Sequence, residues 1–220
     1  MNDDFDYSVF PAPEREHPCQ LYLISPEDVG GDFPDRLRAA LSGGEVAAFQ
    51  LRVKDKVSHE LADLAKPLLE ICREADVAFI VNDSVSMAKR LDADGVHLGQ
   101  QDGSVKEARA ELGPSKMIGV TCHASRHLAM EAGERGADYV AFGAFFPSET
   151  KTSKHRPEPG ILSWWASLFE LPCVAIGGIT PDNARPLVEA GADFLAVSGA
   201  VWNAEDPAAV VKAFGEILQG

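Results

Sequence analysis

Short apolar segments alternate with helix-patterned segments along nearly all of this 220-residue chain, and this alternation restricts the fold more than any other feature. Residues 78–81 (AFIV) form a continuous apolar run of strand length, which is typical of a parallel strand buried on both faces. Between such runs, apolar residues recur at helical spacing, as in residues 58–75. The eight predicted strands are residues 20–25, 46–52, 78–81, 95–99, 117–121, 139–144, 172–177 and 194–198.

Helices are predicted between these strands. Pro67 lies inside the segment 58–75 and should kink or split that helix. Eight strands alternating with helices, in a chain of this length, predict a single-domain (β/α)₈ TIM barrel over residues 19–220. A doubly wound open sheet is the alternative. The predicted helices are residues 33–41, 58–75, a short helix ending at 91, then 105–112, 125–135, 162–169, 182–190 and 207–218.

The first 18 residues lack the alternating strand and helix patterns of the rest of the chain. They contain five acidic residues and three prolines with no periodicity, so residues 1–18 are expected to form a flexible acidic tail. Phe5, Tyr7 and Phe10 are the side chains in this segment that could dock on the barrel.

Charge and cysteine usage restrict the partners and the compartment. A net charge of −14 argues against nucleic acid and anionic membranes as partners. The four cysteines are far apart with no CxxC pair, so they suggest neither a zinc site nor a disulfide framework. Neither a signal peptide nor a membrane-spanning segment is predicted, and a reduced cytoplasmic protein is expected. A homo-oligomer is compatible with the sequence.

Two aspartates follow neighbouring predicted strands. Asp83 comes after the strand 78–81 and Asp102 after the strand 95–99. Parallel strands lie about 5 Å apart, so both carboxylates could reach one cation. Oxygen ligands with room for water and phosphate suit Mg²⁺. The alternative is that both aspartates are helix N-caps.

Cations and hydroxyls gather at other predicted strand ends. Gln50, Arg52 and Lys54 would share one face if their strand continued that far, although a solvated charged strand end is the simpler interpretation. The long polar loop 146–159 resembles a lid, and Lys151 is its candidate for meeting an anion. His97 and His123 are interpreted as structural rather than as zinc ligands.

A glycine-rich turn at residues 177–180 (GGIT) leads into a predicted helix, and residues 198–200 follow the last strand. Backbone N–H groups in such turns can bind phosphate, which the loops after strands seven and eight of this fold commonly do. A tight turn without a ligand is the alternative.

Six motifs in a fixed order resemble the thiamine-phosphate synthase family, and the likeness covers nearly everything after the tail. They are residues 50–54 (QLRVK), 82–83 (ND), 93–102 (ADGVHLGQQD), 136–140 (GADYV), 147–151 (PSETK) and 175–179 (AIGGI). The resemblance implies a transferase that joins hydroxymethylpyrimidine diphosphate to a thiazole phosphate. The carboxylated form of the thiazole phosphate would be a substrate as well. The products would be thiamine phosphate and pyrophosphate.

The resemblance also implies roles for particular residues. The catalytic cations would be Arg52, Lys54 and Lys151, and the metal ligands of Mg²⁺ would be Asp83 and Asp102. The pyrimidine diphosphate would be held by Gln50, Arg52, Lys54, Asn82 and Lys151, and the thiazole phosphate by Ser148, Thr150, Gly178, Ser198 and Gly199. Thr121 would be a further substrate-binding residue. The implied reaction is dissociative: pyrophosphate leaves first, and the thiazole nitrogen traps the pyrimidinyl-methyl cation.

Three positions depart from the family pattern. Thr121 stands where serine is usual, and Ser148 where threonine is usual. Gly199 occupies a position that is commonly serine, so a phosphate contact there would come from the backbone N–H or from Ser198. Two other functions remain open: a thiazole tautomerase on the related barrel, which would have little need of both aspartates, and a non-catalytic sensor of phosphate ligands.

Overall fold

Parallel strands close into a barrel in chain order, with β1 paired to β8. The structure is a computed structural model, and it describes residues 5–11, 17–53, 58–147 and 156–219. The predicted (β/α)₈ barrel is therefore confirmed, and the open sheet is excluded because its two edge strands would not pair. The strands are β1 Gln20–Ile24, β2 Ala48–Leu51, β3 Ala78–Asn82, β4 Gly95–Leu98, β5 Met117–His123, β6 Tyr139–Gly143, β7 Cys173–Ile176 and β8 Phe194–Val197.

The helices lie where the apolar periodicity predicts them, with two differences. Pro67 does not split its helix, which runs unbroken over Ser58–Glu74. A short helix directly after β8 has no counterpart in the predicted elements. The helices of the described residues are α1 Phe33–Ser42, α2 Ser58–Glu74, α3 Val85–Leu91, α4 Val105–Leu112, α5 Arg126–Glu134, α6 Gly160–Leu168, α7 Pro181–Glu189, α8 Gly199–Trp202 and α9 Pro207–Leu218.

Alternate strand residues bury into two different layers. One set, which includes Leu21, Phe49 and Phe79, packs with residues of the helices into the large apolar core that we call the outer layer. The other set, which includes Tyr22, Ile80 and Tyr139, forms a separate cluster of strand residues alone. Successive side chains of a strand point to opposite faces. The second cluster therefore fills the interior of the barrel, which we call the lumen.

The N-terminal segment contacts the outside of the barrel. Residues 5–11 contain the 3₁₀ turn Tyr7–Val9, and Phe5, Tyr7 and Phe10 pack against the outer layer. The Phe5 ring lies 6.4 Å from that of Trp164 in α6, and the Arg126 guanidinium lies 3.6 Å from the Phe5 ring centroid. The docking that the sequence left open thus occurs for the described part of the segment. The tail boundary at residue 18 stays a prediction.

The described helices include none that is both long and apolar enough to cross a membrane. None of the four cysteines forms a disulfide, and each is buried.

Candidate active site

The carboxyl end of β2 brings a polar side chain into the lumen. Gln50 is only 3 % exposed, and its Nε2 donates a hydrogen bond of 2.9 Å to the hydroxyl of Tyr22 in β1. An amide buried this deeply needs partners, because an unsatisfied buried polar group costs about 1–3 kcal/mol. The Tyr22 hydroxyl accepts one of the two hydrogens of this amide.

The hydrogen bonding continues from Tyr22 across the barrel. The Tyr22 hydroxyl lies 3.0 Å from that of Tyr139 in β6, which in turn lies 3.0 Å from Nδ1 of His97 in β4. Nε2 of His97 lies 2.8 Å from Oγ1 of Thr121 in β5. We call this series, Gln50–Tyr22–Tyr139–His97–Thr121, the lumen chain. It connects two residues predicted to bind substrate, Gln50 and Thr121.

Burial keeps the inner members of the lumen chain uncharged. Desolvation raises the pKa of Tyr22 to about 12 and raises that of Tyr139 well above its usual value. Desolvation also lowers the pKa of His97 to about 4, against the opposing influence of the Asp102 carboxylate. At neutral pH both phenols keep their protons, and the imidazole is neutral.

Tyr22 and Tyr139 are not among the site residues predicted from the sequence, and His97 was predicted to be a structural residue only. The two tyrosines could have been found from the alternation of side chains along each strand, in which every second residue faces the lumen. Tyr22 and Tyr139 face the lumen, whereas their chain neighbours Leu21 and Val140 face the outer layer and are apolar. Polar groups at lumen-facing positions on several strands indicate a shared network rather than isolated core residues.

The strand β2 does not continue far enough to place Gln50, Arg52 and Lys54 on one face, as the prediction required. The strand ends at Leu51, because the N–H of Arg52 donates instead to the Ser25 hydroxyl at 2.9 Å. The Arg52 guanidinium lies 4.0 Å from the carboxylate of Glu27, which keeps it at the strand-end rim of the barrel. Lys54 lies outside the described residues.

Serines, not the two aspartates, cap the helices that follow β3 and β4. Ser84 is the N-cap of α3, where its hydroxyl accepts from the Met87 N–H, and Ser104 caps α4 through a capping box with Glu107. Asp83 adopts a left-handed conformation with φ of 64°. The N-cap interpretation is therefore wrong for Asp83 and Asp102, because each is displaced from the cap position by a serine.

Both aspartates lie beside His97. The Asp83 N–H donates to the His97 carbonyl at 2.8 Å, and Asn82 is the strand partner of His97 in the β3–β4 ladder. One oxygen of Asp102 accepts from the Gly99 N–H at 2.9 Å, and this carboxylate acts electrostatically on the His97 ring. The backbone of Asp83, the carboxylate of Asp102 and the strand residue Asn82 therefore all lie next to His97, a member of the lumen chain.

This donor set fits Mg²⁺ better than zinc. Among the described residues, no group of three or more His, Cys, Asp and Glu side chains could hold a metal ion. A structural or catalytic zinc site needs at least three such protein ligands. Mg²⁺ commonly takes only one or two carboxylates and completes its shell with water and substrate phosphate. Asp83 and Asp102 fit that requirement.

The glycine-rich turn after β7 is held against the start of the long loop. The N–H of Phe146 donates to the Gly177 carbonyl at 3.0 Å, and a side chain at Gly178 would collide with the Pro147 carbonyl. Asn183 secures the turn by donating to the Gly178 carbonyl at 3.0 Å. The close approach explains why glycine is needed at residue 178, where φ is 63°.

The segment after β8 begins a helical turn rather than an open loop. Gly199 is the first residue of α8, and Ser198 precedes it as N-cap with its hydroxyl 3.4 Å from the Ser25 carbonyl. The backbone N–H groups at this helix start are directed along its axis, as phosphate binding would require. Of the predicted phosphate contacts, Ser148, Thr150 and Lys151 lie outside the described residues.

One cavity in the described part of the chain lies away from these residues. It measures about 350 Å³ and is lined by the last turns of α5 and α6, including Gly133, Trp165 and Phe169. Helix C-termini of a (β/α)₈ barrel lie at the opposite end from the strand C-termini. This cavity is therefore not part of the candidate site.

Comparisons with known proteins agree with this geometry. Residues 21–201 match the family described as thiamine monophosphate synthase. A thiamine-phosphate synthase of Erythrobacter litoralis is 66 % identical over 207 residues, covering 92 % of this chain and 97 % of the relative. One from Rhodospirillum centenum is 52 % identical, covering 92 % of this chain and 99 % of that protein.

A solved structure extends the likeness to three dimensions. Thiamine phosphate pyrophosphorylase from Pyrococcus furiosus superposes with a TM-score of 0.81 at 34 % identity, covering 91 % of this chain and 95 % of that one. Sequence and structure thus point to the same group of transferases. The chain belongs to the thiamine monophosphate synthase family.

Proposed function

We propose that this protein joins 4-amino-2-methyl-5-hydroxymethylpyrimidine diphosphate to 4-methyl-5-(2-phosphoethyl)thiazole, or to its carboxylated form. The products are thiamine phosphate and pyrophosphate, and CO₂ is released as well when the thiazole is carboxylated. The observation that carries the proposal is the pair Asp83 and Asp102, which flank His97 although neither caps a helix. Family membership supplies the identity of the substrates.

Asp83 and Asp102 would hold Mg²⁺, which would neutralise charge on the diphosphate as it leaves. Asp83 is fixed by its backbone hydrogen bond to the His97 carbonyl, and Asp102 by its bond from the Gly99 N–H. The first bond fixes the backbone of Asp83, and the second orients the carboxylate of Asp102, before a ligand arrives. Such preorganisation avoids the cost of ordering the ligands during binding.

The protein's own cations would act on the leaving group. In the reaction the carbon–oxygen bond of the pyrimidinyl-methyl diphosphate breaks, and pyrophosphate leaves with the electron pair. The thiazole nitrogen then supplies the electron pair of the new carbon–nitrogen bond. Arg52, Lys54 and Lys151 would stabilise the growing negative charge, and no side chain needs to act as a nucleophile.

Polar side chains at the lumen mouth would orient the pyrimidine. Gln50, Asn82 and Thr121 are buried or half-buried at the ends of β2, β3 and β5. The thiazole phosphate would lie at the turns after β7 and β8, with contacts from Gly178, Ser198 and Gly199. Ser148 and Thr150 would complete that site from the long loop.

The proposal is tested by incubating the protein with both substrates and Mg²⁺ and measuring thiamine phosphate and pyrophosphate. Asp83→Ala and Asp102→Ala should each lower turnover severely while the folded far-UV signal persists. Asp63→Ala is the matched control, because this carboxylate is exposed on α2 and pairs with Lys66 at the surface. Full activity of Asp83→Ala at limiting Mg²⁺ would contradict the metal assignment. Isomerisation of the thiazole alone, or ligand binding without products, would support the tautomerase or the sensor instead.

Lys151 distinguishes leaving-group stabilisation from phosphate binding. Lys151→Ala should lower kcat by about 10²-fold or more, the scale of removing one charge-stabilising donor at a reacting centre. Affinity for the thiazole phosphate, measured by calorimetry, should change much less. Lys66→Ala, an exposed lysine on α2, is the control. If kcat were unchanged and thiazole affinity fell, Lys151 would belong to the second phosphate site.

A further inference from the structure

The lumen chain has four links, and its hydrogens can be assigned from the chemistry of its members. The first link has a fixed direction, because the Gln50 amide nitrogen can only donate to the Tyr22 oxygen. The remaining links join two phenols, an imidazole and a hydroxyl. Each link needs one hydrogen, and each member has one to give.

Only one direction gives an acceptor to the hydrogen of each phenol and of the imidazole. If Tyr22 donates to Tyr139 and Tyr139 donates to Nδ1 of His97, the imidazole carries its hydrogen on Nε2 and donates to Thr121. In the reverse direction Tyr139 would donate to Tyr22, which already accepts from Gln50. The Tyr22 hydrogen would then have no acceptor among the described residues, although this residue is only 4 % exposed. An unsatisfied hydrogen there is costly.

The chosen direction fixes what the two ends offer to a ligand. Oε1 of Gln50 is left as an acceptor with no hydrogen-bond partner among the described residues, although the side chain is 3 % exposed. At the other end Thr121 accepts from His97, so its own hydrogen is available to donate. Gln50 therefore offers its Oε1 as an acceptor, beside the second hydrogen of its NH₂ group, and Thr121 offers a donor.

We propose that Tyr22, Tyr139 and His97 are positioning residues that fix this polarity and thereby select an amino-substituted heterocycle over its oxo analogue. The inference rests on the proposed function for the identity of the ligand, and the hydrogen-bond direction stands independently of it. An amino group donates to the Gln50 oxygen, whereas an oxo group at the same place would face a second acceptor. A site built for one polarity rejects the other strongly, because buried groups are left unpaired.

Breaking the chain in the middle should release the amide. In Tyr139→Phe, Tyr22 loses its acceptor, and the nearest remaining acceptor is the amide of Gln50. Turning that amide lets its oxygen accept from Tyr22 and directs its NH₂ group to the ligand. The variant should therefore favour the oxo analogue relative to wild type, rather than simply losing activity.

The first test is ¹⁵N NMR of the histidine side chains in the free protein, with His97 assigned from its missing signal in His97→Gln. We expect the Nε2–H tautomer in wild type. Gln50→Glu removes the amide donor and accepts from Tyr22, so the whole chain should reverse and His97 should become the Nδ1–H tautomer. An Nδ1–H tautomer in wild type would overturn the proposal, whatever the enzyme catalyses.

The second test compares kcat/KM for the aminopyrimidine diphosphate and for its 4-oxo analogue. In Tyr139→Phe the preference for the amino compound should fall by roughly 10-fold or more, the scale of one mismatched buried hydrogen bond. Tyr7→Phe, a tyrosine in the N-terminal 3₁₀ turn, should keep the wild-type preference. If Tyr139→Phe lowered both values equally, the chain would be structural only and the proposal would be wrong.

Failure of the proposed function is distinguishable from failure of this inference. If wild type forms no thiamine phosphate, calorimetry with the two pyrimidine diphosphates replaces turnover as the measure of preference. Equal binding of both compounds by wild type would contradict the inference. A Tyr22→Phe variant, which removes the first acceptor, provides an independent check should Tyr139→Phe fold poorly.

Discussion

The outer layer and the lumen are built from the same strands, yet they differ in chemistry. In β2, Phe49 packs in the outer layer against Phe33, Phe79 and Trp202, whereas its neighbour Gln50 enters the lumen chain. The outer layer needs only shape and volume to hold strands against helices. The lumen also needs each hydrogen bond to be matched, and it ends at the residues that would meet substrate. Stability and recognition are therefore assigned to opposite faces of one sheet.

The largest expected effect would come from opening a cavity in the outer layer. Phe49 is completely buried, so Phe49→Ala should cost about 3–5 kcal/mol of unfolding free energy. The folded enzyme should keep its wild-type preference between amino and oxo substrates, because the lumen chain is intact. Urea unfolding and kcat/KM ratios measure the two effects, with Phe49→Leu as the milder control. Lost selectivity in folded Phe49→Ala would show that the two layers are not separable.

The next effect is a pH dependence of stability that arises in the lumen. His97 has a folded pKa of about 4 against an unfolded value of 6.5, so the unfolded chain binds more protons between these values. Stability is therefore full above pH 6.5 and falls as the pH drops, by about 3 kcal/mol once the folded pKa is passed. The groups that face the ring are Tyr139, Thr121 and, electrostatically, Asp102.

This dependence is measured as unfolding free energy between pH 7 and pH 4 for wild type and His97→Gln. The carboxylates titrate in both proteins, so the difference between the two slopes of unfolding free energy against pH isolates the contribution of the His97 imidazole. Parallel slopes would mean that His97 is not held neutral by burial, which would weaken the distinction between the layers.

A smaller effect should follow from adding one methyl group to the lumen. Gly119 is the strand partner of Tyr139, and a Cβ there would overlap the Tyr139 ring. Gly119→Ala should therefore cost about 1–3 kcal/mol and displace the Tyr139 hydroxyl, which lowers substrate preference. Gly215→Ala is the control, because nothing lies within 4 Å of that position in α9. It should gain up to about 1 kcal/mol.

The smallest effect concerns the N-terminal segment, which lies outside both layers. Deleting residues 1–17 should leave kcat unchanged and remove the contact of Phe5 with Arg126, which is worth about 1 kcal/mol. Thermal unfolding and steady-state turnover measure the two results. A fall in kcat would instead connect this segment to the long loop, because Tyr7 packs against Gly160 at the start of α6.

Much of the barrel could be predicted from local patterns. Continuous apolar runs such as residues 78–81 identify strands buried on both faces. The observed β3 begins at Ala78, as predicted, and ends at Asn82, one residue later than predicted. Pro67 was predicted to kink or split its helix, and the split is wrong because the helix is unbroken. Packing of the amphipathic face against the outer layer offsets the lost hydrogen bond, which a local propensity does not include.

Candidate ligands were easier to predict than their partners. Asp83 and Asp102 were placed correctly after adjacent strands, but sequence alone left the N-cap interpretation open. Deciding it required knowing that Ser84 and Ser104 occupy the cap positions. Aspartate and serine both favour such positions, so the choice depends on backbone geometry rather than on residue type.

By itself, the sequence determined the order of strands and helices, the closed-barrel class and the presence of polar groups at strand ends, because these depend on periodicity along the chain. Only the tertiary structure decided which polar groups meet. Tyr22 and Tyr139 are 117 residues apart, and closure of the barrel brings their hydroxyls to 3.0 Å. Their matching is a property of the closed lumen, where a buried hydrogen bond must find its partner across the barrel rather than along the chain.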